Sequence, residues 1–162
     1  MRREPPQSGV ATVATDVLTV GADLGQVFDR LLRRHANLTL TQYRVLATLS
    51  ERRPAPCEPW QLAEALRMSS PHVSAVLDQL TGRGLVVRAS HPDDGRRRLV
   101  ELTDGGAERL ELFAPFLAAV ESRVVGETLT PDEQRTLTLL LGRLQQALDG
   151  LAIPEGRPRP GP

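Results

Sequence analysis

The chain has 162 residues and contains no lysine: all 20 of its basic residues are arginine, matched by 20 Asp and Glu for a formal net charge of zero. Zero net charge excludes a histone-like protein that coats polyanions with bulk positive charge, and leaves specific binding to depend on where the arginines sit. A single cysteine, Cys57, excludes a framework of intramolecular disulfides. No run approaches the ~18 consecutive apolar residues of a membrane span. The opening Met1-Arg2-Arg3-Glu4-Pro5-Pro6 places an acid and two prolines where a signal peptide carries its apolar segment. The expectation is a cytoplasmic protein with no membrane partner. There is no Gly-rich phosphate loop and no evident nucleophile–base pair, so catalysis is not expected. His35, His72 and His91 are too scattered for a ligand spacing, and neither a metal site nor a cofactor is expected.

What remains is an ordinary soluble composition, 40% apolar and 25% charged, and enough chain for one sizeable core. The informative stretch runs from Trp60 to Thr103. Gln61 to Leu66 has the pattern of a short amphipathic helix, Met68-Ser69-Ser70 that of a tight turn, and Ser70 to Leu80 that of a second helix. In the second helix Val73, Val76, Leu77 and Leu80 form the inward stripe, which leaves Ser70, Pro71, His72, Ser74 and Gln79 facing outward. Ser69 or Ser70 is expected to cap the free amides of that helix, with Pro71 in its first turn. Gly84 suits a left-handed residue after the helix. Leu85 to Arg88 and Leu99 to Leu102 read as paired strands around a long tip containing Pro92, Asp93, Asp94 and Gly95. Five of the arginines, Arg83, Arg88, Arg96, Arg97 and Arg98, cluster between positions 83 and 98. Helix, turn, helix and basic hairpin are the parts of a winged helix-turn-helix, whose second helix fits a DNA major groove.

Around this stretch the expected organisation is a disordered arm over residues 1–12, an N-terminal helix within 13–37, the winged segment over 38–103, C-terminal helices within 104–152 and a disordered Pro/Gly/Arg tail over 153–162. Val17, Val20, Leu24, Val27, Phe28 and Leu31 recur at helical spacing in the first helix, with Gly21 and Gly25 as weak points or places of close backbone approach. Leu38-Thr39-Leu40-Thr41 supplies cap candidates for a second helix that must end before Arg52-Arg53-Pro54. Thr103 is expected to cap a long helix reaching about Gly126, kinked or split at Pro115. Thr130-Pro131-Asp132-Glu133 has the spacing of a capping box ahead of a helix whose apolar face is Leu137, Leu140, Leu141, Leu144 and Leu148.

In its order of elements the chain resembles the MarR family of bacterial transcriptional regulators from about Val17 to Leu148. Three segments carry the resemblance: Leu38 to Leu46 at the entry to the second helix, Leu62 to Ser74 with Gly84-Leu85-Val86, and Asp94-Gly95-Arg96-Arg97-Arg98-Leu99-Val100-Glu101-Leu102-Thr103. The last matches the family's wing signature, an Asp and an Arg two apart followed by a strand and Leu-Thr. The implied fold is mostly α (α+β), a winged helix-turn-helix with long N- and C-terminal dimerisation helices and a two-stranded β-wing. The resemblance also implies a homodimeric repressor on double-stranded DNA with a pseudo-palindromic operator, released by a small aromatic or phenolic effector whose pocket residues the sequence does not single out. The terminal helices carry more Leu and Val than one thin domain can bury, which independently favours a shared interface.

The candidate DNA-binding residues are Ser69, Ser70, Pro71, His72, Ser74, Ala75 and Gln79 on the recognition helix and Arg83, Arg88, Arg96, Arg97 and Arg98 in and around the wing. Serine hydroxyls donate or accept at base edges, His72 can donate to guanine N7, and Pro71 with the Ala75 methyl can pack on a thymine methyl. Many family members carry Arg where this chain has Ala75, a departure that alters the expected base preference. Arg96 matches the family arginine that enters a narrow minor groove. Asp94 is expected to hold Arg96 or the turn in shape, a wing-stabilising role. Arg97 and Arg98 alternate faces, so one at most accompanies Arg96, while Arg83 and Arg88 are candidate phosphate clamps. Two other readings stand beside this one: a winged-helix protein-interaction module, and a redox-sensing regulator that uses Cys57, whose pKa Arg52 and Arg53 would lower.

Overall fold

The computed structural model describes residues 12–91 and 94–151, and backbone alone at His91, Gly95 and Arg96. The expected arm, apart from Thr12, and the expected tail lie outside these residues. The order of elements is α1 (Val13–His35), α2 (Leu40–Glu51), α3 (Pro59–Leu66), α4 (Ser70–Gly82), β1 (Val86–His91), β2 (Asp94–Leu102), α5 (Asp104–Val120), a π-helical turn (Glu121–Gly126) and α6 (Pro131–Asp149). This is the expected class: mostly helical, with one two-stranded antiparallel sheet. The chain divides into two compact units between Leu117 and Ala118.

The first unit is a helical layer closed by the hairpin. Each helix start has a local cause. The Thr12 hydroxyl accepts from the Thr15 amide at 3.2 Å. Thr39 and Gln42 form a reciprocal capping box, with bonds of 3.0 and 3.1 Å. α2 stops at Glu51, ahead of the proline-bearing loop, as expected. At the end of α4 the chain reverses through Gly84 at φ +68°. Gly84 N donates to the Thr81 carbonyl at 2.9 Å and Leu85 N to the Leu80 carbonyl at 3.0 Å, a paired arrangement that satisfies the last free carbonyls of the helix. β1 and β2 pair from Val86 opposite Leu102 to Ser90 opposite Arg98, with a bulge between Ser90 and His91.

The core is aliphatic except at one place. Phe113 is fully buried and collects Phe28, Tyr43 and Phe116 at ring distances of 6.5, 5.3 and 6.2 Å, tying α1, α2 and α5 together. His35 stacks on Phe116 at 3.8 Å. Val73, Val76, Leu77 and Leu80 of α4 all join this core, each contributing about 1.5–3 kcal/mol by leaving water.

Two expectations change. Cys57, the thiol of the redox-sensing reading, is fully buried and pairs with Val100 as an isolated antiparallel bridge, with bonds of 3.0 and 2.8 Å, on the free side of β2. α5 is not split at Pro115 but continues to Val120, where the backbone widens into the π-helical turn. The amide that proline lacks would have met the carbonyl of Glu111, an exposed position that water can satisfy. Within the subunit the point of close backbone approach is Gly106. There a Cβ would stand 2.2 Å from the Leu85 carbonyl oxygen.

That contact belongs to the junction between hairpin and α5. Thr103 N donates to Leu85 O at 3.2 Å, and its hydroxyl donates to Gly84 O at 2.8 Å while accepting from Gly106 N at 3.1 Å. In the second unit Thr130 and Glu133 form the expected capping box. Leu137, Leu140, Leu141, Leu144 and Leu148 of α6 are all exposed, as are Val13, Val17, Leu18 and Val20 of α1 in the first unit. Because backbone leaves no room at Gly106, Gly106→Ala should destabilise the fold by about 1–3 kcal/mol. A chemical-denaturation midpoint equal to that of the unsubstituted protein would contradict this close approach.

Candidate nucleic-acid interface

The outward face of α4 is built by what its inward face buries. With Val73, Val76, Leu77 and Leu80 in the core, the 3.6-residue repeat puts Ser70, Pro71, His72, Ser74 and Ala75 in solvent, and Ser69 joins them from the preceding turn. The turn contains no glycine. Arg67 takes the left-handed conformation instead, at φ 53°, which lets Met68 N reach back to Ala63 O at 2.9 Å.

Ser69 occupies the cap position of α4, but its hydroxyl bonds no helix amide, contrary to expectation. Pro71 sits where a capped N–H would otherwise be and has none to offer. The Ser69 hydroxyl and the first-turn amides are therefore unengaged by side chains of the described residues. The result is a small polar ridge at the positive end of a helix, where the aligned peptide dipoles favour an anion.

The arginines behave differently from one another. Arg88 leaves β1 and crosses to α4, where it pairs with Asp78 at 2.7 Å and donates to the Ser74 carbonyl at 3.3 Å. It fastens the hairpin to the helix that carries the ridge. Arg83 donates to Gln42 Oε1 at 3.3 Å and to Asn37 O at 2.6 Å, back toward α2. Arg97 pairs with Glu58 at the start of α3, its Nε donating to Oε2 at 3.0 Å. Arg98 donates across the ladder to Ser90 Oγ at 2.6 Å. Asp94 opens β2 opposite His91. Gln79 is an exposed residue of α4, yet its Oε1 accepts from Gln42 Nε2 at 2.9 Å. Arg96 lies in β2, and its side chain is outside the described atoms.

Four of the five clustered arginines thus have internal partners, and the residues that receive them were missed in the sequence. Asp78 and Glu58 gave no local signal, because their arginines lie far along the chain. Gln42 did give one: it stands three residues after Thr39, the spacing of a capping box.

Cys57 does not suit redox sensing. Burial pushes its thiol pKa up, and the opposing pull of Arg52, whose Nη1 lies 3.4 Å from Sγ, is the smaller effect. The thiol donates to Glu58 O at 3.4 Å. Native Cys57 should therefore react with a disulfide reagent on the order of a hundredfold more slowly than the denatured protein, since attack waits for local opening. Comparable rates in the two states would restore the redox reading.

Comparisons with known proteins identify the family and the fold. A family model described as the MarR family matches residues 38–97. The multiple antibiotic resistance protein MarR of Escherichia coli K12 is 32% identical over 125 residues, spanning 75% of this chain and 85% of that protein. Among solved structures, Sco3205 of Streptomyces coelicolor, a MarR family regulator crystallised with DNA, superposes with a TM-score of 0.77 at 26% identity, over 84% of this chain and 88% of that one. BpsR of Bordetella bronchiseptica, whose DNA binding is regulated by 6-hydroxynicotinic acid, shares the fold with a TM-score of 0.75 at 23% identity, over 87% and 98% of the two chains. This chain belongs to the MarR family of DNA-binding transcriptional regulators, which act by binding rather than by catalysis.

Proposed function

We propose that the chain works in the cytoplasm as a homodimeric repressor that grips a pseudo-palindromic operator and lets go when a small aromatic or phenolic molecule binds. The observation that carries the reading is the ridge of Ser69, Ser70, Pro71, His72, Ser74 and Ala75, solvent-facing above a sealed apolar stripe, whose side chains bond no other side chain of the described residues, while the Ser74 carbonyl is held by Arg88. In the major groove such a ridge offers hydroxyls, an imidazole and a methyl to base edges, while free first-turn amides meet phosphate.

In this reading Arg96 enters the neighbouring minor groove from the wing, with Asp94 shaping the turn. Arg97 and Arg98 hold the hairpin through Glu58 and Ser90, and Arg83 and Arg88 keep the recognition helix in place, each able to lend a remaining N–H to phosphate. Dimerisation is supported by the exposed apolar residues of α1 (Val13, Val17, Leu18, Val20) and of α6 (Leu137, Leu140, Leu141, Leu144, Leu148). The effector is supported by the ligand-regulated DNA binding of BpsR. It lowers affinity only by as much as it prefers the released conformation.

The test is a salt titration of binding to a fluorescent duplex from upstream of the gene, against scrambled competitor. Specific binding should fall steeply with salt, and Arg96→Ala should weaken it by about 1–3 kcal/mol. Salt-insensitive binding that Arg96→Ala leaves unchanged would point to a protein partner on this surface instead.

A further inference from the structure

Gln42 is the one polar side chain among the described residues that is buried, with 7% of its surface exposed. A buried primary amide must be satisfied, and this one is satisfied by three residues, one at the cap of its own helix and two at the end of α4. Its Oε1 accepts from Thr39 N at 3.0 Å and from Arg83 Nη1 at 3.3 Å, and its Nε2 donates to Gln79 Oε1 at 2.9 Å. The assignment of oxygen and nitrogen is forced, since the Thr39 amide and the Arg83 guanidinium can only donate. Arg83 carries the connection on to Asn37 O at 2.6 Å, in the link between α1 and α2. Asp29 of α1 accepts from Leu40 N at 2.9 Å and from Arg33 Nε at 2.6 Å, contacts that hold its carboxyl below the ordinary value of 3.8. A continuous hydrogen-bonded path therefore runs from α1, through the first turn of α2, to the last turns of α4.

We propose that Gln42 is the positioning residue of the recognition helix: it fixes the roll of α4 against the α1–α2 junction, so that base discrimination depends on a side chain that does not touch DNA. The inference rests on α4 reading DNA as proposed above. Apolar packing between buried residues such as Leu77 of α4 and Leu46 of α2 tolerates small rotations, whereas the amide bonds exist in one setting only. On a helix whose side chains reach a radius of ~5–6 Å, a ~10° roll moves their tips by about 1 Å, enough to lose a base-edge bond. Gln79 and Arg83, both read from the sequence as DNA contacts, act here through placement, because their polar ends face α2.

The experiment uses the full-length protein, a duplex recovered from a random pool and its scrambled counterpart, with anisotropy titrations at several salt concentrations and a thermal melt of each variant. Gln42→Met and Gln79→Met should each lower the ratio of specific to scrambled affinity about tenfold, while the scrambled affinity and the salt slope stay unchanged. The double variant should be no worse than the poorer single one. Gln42→Glu should recover most of the ratio, since a carboxylate accepts from Thr39, from Arg83 and from a turned Gln79 amide. If Gln42→Met does not fold, Gln79→Met alone must show the selective loss.

An unchanged ratio in Gln42→Met overturns the proposal. So does additivity of the two methionine variants, which would make Gln79 a direct contact. A loss in Gln42→Glu as large as in Gln42→Met, matched by a fall in melting temperature, also overturns it by leaving Gln42 a purely structural role. A protein with no substitution and a ratio near one would overturn the DNA-reading account beneath it as well.

Discussion

Everything the recognition helix offers to the outside depends on the sealing of its inner face. Val73, Val76, Leu77 and Leu80 leave water together, and helical geometry then dictates which residues face out. A polar residue at any of the four would free the helix to roll, and the ridge of Ser69, Ser70, Pro71, His72 and Ser74 would lose its definition. The exposed ridge is costly to keep unbonded only if nothing meets it. In the proposed complex, phosphate oxygens and base edges would replace the water that solvates it.

Apolar burial sets the face but not the angle. The angle comes from a few directed bonds: Arg88 from hairpin to helix, Gln42 and Arg83 from α2 to helix, Thr103 from α5 back to the turn at Gly84. Each joins elements distant in the chain, so the winged unit behaves as one body rather than as a helix with a loose hairpin. The arginine cluster serves this purpose as much as it serves charge. A basic patch in sequence can be a set of internal struts, as Arg83, Arg88, Arg97 and Arg98 are here.

Local chemistry was legible in the sequence, and long-range chemistry was not. Gly84, the Thr130–Glu133 box and the stop of α2 before Pro54 follow from rules that span six residues or fewer, and all are present. The winged class was also legible, because its signal is an order of local patterns. Pairing of Cys57 with Val100, of Arg97 with Glu58 and of Gly106 with the Leu85 carbonyl joins positions 21 to 43 residues apart, and no periodicity announces such partners. Ser69 was misjudged for a subtler reason: the residue type favours a cap, but Pro71 removes an amide it would have capped. The candidate ridge was therefore readable, while the struts that aim it were not.

In the proposed homodimer two such ridges, one from each protomer, would read successive major grooves on one face of the duplex. Hydroxyl-radical footprinting of the protein on its highest-affinity fragment tests it most directly. Two protected blocks related by a two-fold axis are expected, with centres about one helical turn, ~34 Å, apart, and flanking protection where the wings reach the minor groove. A single unsymmetrical block, or uniform protection without a repeat, would contradict it.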